Sequence, residues 1–202
     1  MAAKRLAVLF VLVLLPASAW AQINDVALTV GRTFISTQTV RSTGLPVHFG
    51  NEETVQFNYG RVLWARGLFN ITAELPVAIA PRADVNYYFG TTPKDIGSIF
   101  VTPSARVNIF PTASVTPWVS LGGGYGHFRA ASTTLYNGAN PGSGSNTAVL
   151  QIGVGLDVWP WERWGARVEA RDFYSGVPNL NVETNRGRQH NFYVGVGVIH
   201  RF

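Results

Sequence analysis

Apolar and polar residues alternate with a period of two along most of the chain beyond residue 25. In residues 148–158, for example, Leu150 and Ile152 share one parity, whereas Gln151 and Gly153 share the other. Because successive side chains of a β-strand point to opposite faces, this alternation predicts strands with one apolar face and one face of polar residues and glycine. The pattern recurs in eight segments, residues 26–35, 54–63, 68–77, 99–109, 117–128, 148–158, 165–174 and 190–202.

The connections between these segments alternate between long and short. The long ones are rich in Gly, Pro, Asn, Ser and Thr and lie at 36–53, 80–98, 129–147 and 175–189, and the short ones lie at 64–67, 110–116 and 159–164. Alternating faces occur in soluble β-sandwiches as well, but long loops on one side and tight turns on the other are typical of membrane barrels. The sequence therefore predicts an all-β fold, a single up-and-down antiparallel transmembrane β-barrel of about eight strands.

Aromatic residues cluster near the ends of the predicted strands. Amphipathic aromatic rings settle at the headgroup level of a bilayer, so tryptophans at the short turns predict a periplasmic aromatic girdle. The alternative is that they are ordinary core or surface residues. The predicted periplasmic girdle comprises Trp64, Trp118, Trp159, Trp161 and Trp164, and the predicted outer girdle comprises Tyr87, Tyr88, Phe89, Phe128 and Tyr174.

The first 21 residues have the pattern of a cleavable signal peptide. Lys4 and Arg5 precede an apolar run at 6–15 that is too short to span a bilayer as a helix. The small residues Ala19 and Ala21 provide a cleavage pattern, which favours a signal peptide over a membrane anchor. We therefore expect a signal peptide at 1–21 and one outer-membrane barrel domain at 22–202.

Composition excludes some classes and agrees with the barrel. The chain has no cysteine and 21 glycines, and no helix-length apolar stretch follows residue 21. A membrane protein without such a stretch can cross only as a closed barrel. The formal charge of +5 includes Lys4 and Arg5, and the remaining basic residues are dispersed along the chain. This dispersion argues against a nucleic-acid partner.

The last strand carries a family resemblance. Phe202 ends the chain, and it shares its parity with Val194, Val196 and Val198. This end resembles the terminal strand of bacterial outer-membrane proteins, and the whole plan resembles the small barrels that include the OmpA membrane domain and OmpX. His200 departs from the apolar residue usual in that strand. The resemblance implies a monomer in the outer membrane, a C-terminal signal for the barrel-assembly machinery, and contacts with periplasmic chaperones and with outer-membrane lipids including lipopolysaccharide.

Charged residues on the polar faces predict an ionic network inside the barrel. Asp157 and Arg167 flank one short turn, and Glu74 and Arg106 lie at comparable heights on consecutive strands, so each pair is expected to interact. Charges enclosed in so narrow a barrel must be paired and hydrogen-bonded. We expect a structural plug, with a polar pore or gate as the alternative. The predicted network comprises Glu74, Arg106, Asp157, Arg167, Glu169 and Arg171.

Four residues do not fit the alternation. Arg32 falls on the lipid face unless a bulge at Gly31 reverses the parity, and Arg61 poses the same problem. Asp172 is expected above the outer interface. Pro103 lacks an N–H donor for the ladder, so we expect it near the outer end of its strand.

Candidate chemistry is sparse. His127, His190 and His48 fall near the outer side, with Ser132, Ser175 and Asp172 as conceivable partners, but the chain has no His-x-Ser pair and no nucleophile elbow. We predict neither an enzyme nor a cofactor or metal site. The expected function is a structural or surface-interaction role with an extracellular ligand that the sequence does not identify. A narrow passive channel for small or apolar solutes is the alternative, and a lipid A-modifying enzyme is a distant third.

Overall fold

The computed structural model describes residues 24–88, 92–93, 95–130 and 144–202. The predicted signal peptide at 1–21, Phe89 and Ser132 lie outside these ranges. No helix in the described ranges is long and apolar enough to cross a bilayer. The strands of the described chain are β1 (Asn24–Ile35), β2 (Gln38–Thr39), β3 (Pro46–Phe49), β4 (Glu52–Arg66), β5 (Phe69–Asn86), β6 (Asp95–Val101), β7 (Ser104–Ile109), β8 (Val115–Ala130), β9 (Ser145–Val158), β10 (Trp164–Gly176), β11 (Arg188–Gln189) and β12 (Asn191–Arg201).

The long strands close into a ring of antiparallel pairs. The order around the ring is β1, β4, β5, β6 with β7, β8, β9, β10 and β12, and β12 pairs again with β1. β6 and β7 form one wall position, because both pair with β5 on one side and β8 on the other. The wall therefore has eight positions, which confirms the predicted up-and-down barrel.

The wall is interrupted between β6 and β7 at Thr102 and Pro103. The register does not shift there, because Ser104 pairs with Gly122 and Val101 pairs with Tyr125. Pro103 therefore breaks the ladder in the middle of a wall strand, and its predicted place near the strand end is wrong. A Cβ atom at residue 122 or 124 would overlap backbone atoms on the β6–β7 side, which explains the glycines at both positions.

The outward face of the barrel is a belt of exposed aliphatic and aromatic side chains, whereas charged and amide side chains are buried within. Members of the belt are between 37% and 58% exposed, and they include Leu28, Val30, Phe57, Ile71, Leu121, Ile152, Val168 and Val196. This arrangement is the reverse of a soluble protein, and it fits a wall that faces hydrocarbon.

The long connections build an ordered structure at one end, here named the loop cap. It contains β2, β3, the far ends of β5 and β6, and residues 177–187. β3 pairs with the end of β5, and Val40 forms a bridge with Thr184. The cap has its own apolar core, formed by Val40, Val47, Ala83, Val85, Ile96 and Leu180. Segments interpreted from the sequence as loops therefore contain paired strands at this end of the barrel.

Candidate functional site

The interior at the short-turn half holds a network of buried charges. All six predicted residues lie there, on β5, β7, β9 and β10, and none is more than 3% exposed. Asp25 of β1 joins them and was missed, because the first strand was predicted to begin one residue later. Asp25 shares its parity with Ala27 and Thr29, which are buried inside the barrel. This shared parity indicates an inward position for Asp25 as well.

Glu74 is the centre of this network. Its Oε1 atom lies 3.1 Å from Arg106, 3.3 Å from Arg167 and 3.0 Å from Arg171. Each of these three guanidinium groups also pairs with a second carboxylate. Glu74 therefore links three separate ion pairs to one another. Such sharing supplies the close compensation that buried charges require.

The other three carboxylates each hold one arginine. Asp157 accepts two hydrogen bonds from Arg167, at 2.8 and 2.9 Å, in the bidentate geometry that suits a guanidinium group. Glu169 lies 2.9 Å from Arg171, and Asp25 pairs with Arg106. The predicted pairs Asp157–Arg167 and Glu74–Arg106 are therefore both ion pairs in the structure.

Neutral side chains satisfy the remaining acceptors of Glu169. The hydroxyl of Thr29 and the amide of Gln56 each donate to its Oε1 atom at 2.7 Å. The hydroxyl of Tyr193 in turn donates to Thr29 at 2.8 Å. These contacts tie β1, β4, β10 and β12 together across the lumen, so the network braces the wall.

Two of the five predicted girdle tryptophans lie inside the barrel, which corrects that assignment. Trp118 is 1% exposed, because it shares the inward parity of Ser120, and it donates to Asp157 at 3.2 Å. Its ring lies 5.0–5.9 Å from the guanidinium carbons of three network arginines, within range of cation–π attraction. Trp159 is also buried, and Arg201 stacks on its ring.

The other three tryptophans of the predicted periplasmic girdle are exposed, whereas one residue of the predicted outer girdle is buried. Trp64, Trp161 and Trp164 are between 48% and 70% exposed, at positions where a girdle can form. Phe128 was expected in the outer girdle but is buried inside, because its parity on β8 is inward.

An apolar layer fills the interior beyond the ionic network. Phe100 stacks on Phe173 with ring centroids 5.1 Å apart and meets Phe128 edge-on at 5.6 Å. Ala78, Val149 and Tyr193 complete this layer. The lumen thus contains charged and apolar layers in sequence, and the core of the loop cap lies at its far end.

A further buried acid lies on β4, outside the ionic network. Glu52 is fully buried on β4 and accepts a hydrogen bond from Ser98 at 3.2 Å. Gln38 on β2 and Gln189 on β11 are also buried. Glu52 was not among the predicted network residues, because it was assigned to a loop.

Of the residues with conceivable catalytic chemistry, the described part of the structure brings His190 and Asp172 together and leaves the others apart. His190 and Asp172 form a 2.6 Å contact on the outward face, whereas Ser175 is fully buried on the inward face of β10. His127 contacts Asn146, and His48 contacts Thr37. No cluster of three or more potential metal ligands occurs in the described ranges. Ser175 therefore faces away from these histidines, and the hydroxyl that lies beside His48 belongs to Thr37, at 3.3 Å.

The remaining sequence expectations concern single positions. Arg32 is exposed with outward parity and lies opposite Glu53 and Val194, without a register shift at Gly31. The aliphatic residues that share the parity of Phe202 on β12 are exposed on the outward face, where the C-terminal assembly signal stays a prediction. Arg61 is partly buried near the short-turn end of β4.

Comparisons with known proteins bear on the fold alone. No family model and no curated protein matches the chain. Among solved structures, neisserial surface protein A has a TM-score of 0.56 at 13% identity, covering 92% of this chain and 100% of that one. The outer membrane protein OprG of Pseudomonas aeruginosa has a TM-score of 0.56 at 12% identity, covering 90% and 95%.

A third similar structure is Ail, the attachment invasion locus protein of Yersinia pestis, in complex with the heparin analogue sucrose octasulfate. Its TM-score is 0.50 at 14% identity, and the match covers 89% of this chain and 99% of that one. All three are small bacterial barrels of the predicted kind. With its ring of antiparallel strands and its apolar outer belt, the chain has the fold of the small bacterial outer-membrane β-barrels, and that fold indicates the outer membrane as its location.

Proposed function

We propose that this protein is a closed, non-conducting barrel that supports the outer membrane and displays a surface for interactions outside the cell. The observation that carries the proposal is the filled interior. Three arginines and four carboxylates bridge the lumen around Glu74, and Trp118 packs against them. Buried charges held in this way are costly to separate, so the network opposes passage of water and ions.

The apolar layer supports the same conclusion. Phe100, Phe128 and Phe173 pack together in the lumen beyond the network. A solute that entered from the long-loop end would have to displace the cap core, this layer and then the ion pairs. An eight-stranded barrel has an interior just wide enough for its own side chains to fill.

The loop cap supports the interaction role. Its strands and its apolar core hold the long connections in one arrangement, and a preorganised surface loses less entropy when it binds a partner. The similar Ail structure holds a heparin analogue, which favours an extracellular polymer or receptor as the kind of partner for this barrel too.

Single-channel recording tests the closed interior. Purified protein, refolded and inserted into planar bilayers, should give no steady conductance. Heat-dependent gel mobility of the protein recovered from vesicles of the same lipid shows independently that the barrel has inserted and folded. A steady open conductance of the wild-type barrel would refute the plug and favour a narrow passive channel for small solutes.

A further inference from the structure

The loop cap contains a gap where two chain segments separate. One segment runs from the end of β1 into β2, and the other leads from the last long connection through β11 to β12. The segments are joined at both ends of the gap, because the backbone N–H of Ser36 donates to His190 at 3.0 Å and that of Asn185 donates to Thr39 at 2.8 Å. Between these bonds residues 37–38 face residues 186–189, so the second segment is longer and diverges from the first.

A pocket of about 400 Å³, here named the cap pocket, lies at this gap and is lined by Thr37, Thr39, Asn185 and Arg186. Each of these residues is exposed or partly exposed, so the pocket is open to solvent at the long-loop end. Its volume falls in the range of roughly 300–1,000 Å³ that is typical of small-molecule sites. The cap pocket therefore has room for a ligand the size of a sugar, which is far larger than an inorganic anion.

The neutral groups that line the cap pocket are available to a ligand. The side chains of Thr39 and Asn185 make no hydrogen bond within the described ranges. The hydroxyl of Thr37 contacts Nδ1 of His48 at 3.3 Å and retains capacity for a further bond. Hydroxyl and carboxamide groups both donate and accept, so the lining can bond to a ligand that carries several hydroxyls.

The cap pocket also has an uncompensated positive charge. Arg186 forms no ion pair within the described ranges, and Glu183, the acid nearest to it in the sequence, is paired with Arg41 at 3.5 Å. A second cation follows in the same segment, where Arg188 lies 5.5 Å from the ring centroid of Tyr174. Such a local excess of positive charge attracts an anionic ligand.

The two segments that border the gap carry buried carboxamides as well. Gln38 and Gln189 are each 1% exposed. Both polar atoms of the Gln38 side chain, and the side-chain oxygen of Gln189, have no hydrogen-bond partner in the described part of the chain. Because buried polar groups are normally hydrogen-bonded, these amides show that the gap is not a place closed by apolar packing.

We propose that the cap pocket binds an acidic sugar residue of an extracellular glycan; this ligand class rests on the surface-interaction role proposed above. The guanidinium group of Arg186 holds the sugar carboxylate, because its parallel N–H donors suit that planar anion. Ring hydroxyls of the sugar bond to Thr37, Thr39 and Asn185. The lining has no apolar side chain, so it offers no contact to the apolar side chains of a peptide or to the acyl chains of a lipid.

Saturation-transfer difference NMR of the full-length protein, in phospholipid nanodiscs free of lipopolysaccharide, tests this site. Methyl glucuronide is compared with methyl glucoside, which lacks the carboxylate, and sialyllactose is compared with lactose, which lacks the terminal acidic sugar. Acetate and an acidic dipeptide test whether any carboxylate is sufficient. The variants Arg186→Gln and Asn185→Leu alter the lining, and the matched control Arg129→Gln removes an exposed cation of β8 at the same end of the barrel. Heat-dependent gel mobility checks that each variant folds.

At least one acidic sugar should bind, and its neutral counterpart should bind at least about tenfold more weakly, because the charge-assisted hydrogen bonds are absent. Arg186→Gln should lower the affinity for the acidic sugar by a similar factor, and Asn185→Leu should weaken it as well. Arg129→Gln should leave the affinity unchanged.

The proposal is overturned if neither acidic sugar binds, or if the neutral sugars, acetate or the dipeptide bind equally well. Full binding by Arg186→Gln, or an equal loss in Arg129→Gln, would also overturn it, since the anion would then not be held in the cap pocket. Conductance does not enter these measurements. A non-conducting barrel without sugar binding would therefore refute the sugar site alone, and a conducting barrel that binds the sugar would refute the closed interior alone.

Discussion

Replacing Arg171 by methionine should test how far the interior network stabilises the barrel. Arg171 is fully buried and contacts both Glu74 and Glu169, and it is the cation that lies closest to Glu169. Methionine retains most of the buried volume but leaves the Glu169 carboxylate with only neutral donors from Thr29 and Gln56. Removing one partner of a buried ion pair costs about 3–5 kcal/mol.

Urea unfolding in lipid vesicles gives the readout. With an m-value of roughly 2 kcal/mol/M, the expected loss lowers the midpoint by about 2 M. Arg41→Met is the matched control, since Arg41 lies on the cap surface in an exposed pair with Glu183, and such pairs contribute little to stability. Its midpoint should stay at the wild-type value.

A second variant separates charge from packing. Adding Glu169→Gln to Arg171→Met removes the unpaired charge while it keeps a side chain of the same shape, so the midpoint should recover by at least half. If Arg171→Met unfolds at the same urea concentration as Arg41→Met, the network does not stabilise the barrel. If the double variant shows no recovery, packing rather than charge compensation explains the loss.

Three further variants test other parts of the structure. Trp118→Ala should cost about 3–5 kcal/mol in urea unfolding, because it empties buried volume among three guanidinium groups, whereas Trp161→Ala on the exposed turn should cost far less. Gly124→Val should abolish the heat-dependent gel shift, because its Cβ would overlap the backbone of Val101, whereas Gly187→Ala, with open space around it, should keep the shift. Val47→Asp should place a charge in the cap core and make residues 36–51 sensitive to added protease while the gel shift persists; protection equal to the wild type would count against an ordered cap.

The barrel wall was predictable because its strands repeat one local rule. Alternation placed Leu150 and Ile152 outside and Gln151 inside, and a single register error would have reversed an entire strand. The same parity placed Trp118 and Phe128 inside. Both residues lie near a turn or a strand end, where girdle residues are expected, but the strand parity determines the face that each side chain takes.

The loop cap was not predictable in this way. Its strands are as short as two residues, too short for alternation to appear, and its core joins Val40 to Leu180 across most of the chain. Pairing of Asp157 with Arg167 was accessible, since both flank a single turn, but the role of Glu74 as a shared partner depends on the closed ring.

The most direct test of a closed outer-membrane barrel is the gel mobility of the protein in the isolated outer-membrane fraction, with and without boiling. Recovery in that fraction, with a fast-migrating unboiled band that slows on heating, is the expected result, because a closed ladder stays folded in detergent at room temperature. Recovery as a soluble periplasmic or secreted protein without any heat-dependent shift would contradict the account, and the apolar belt would then have to be the core of a soluble sheet assembly.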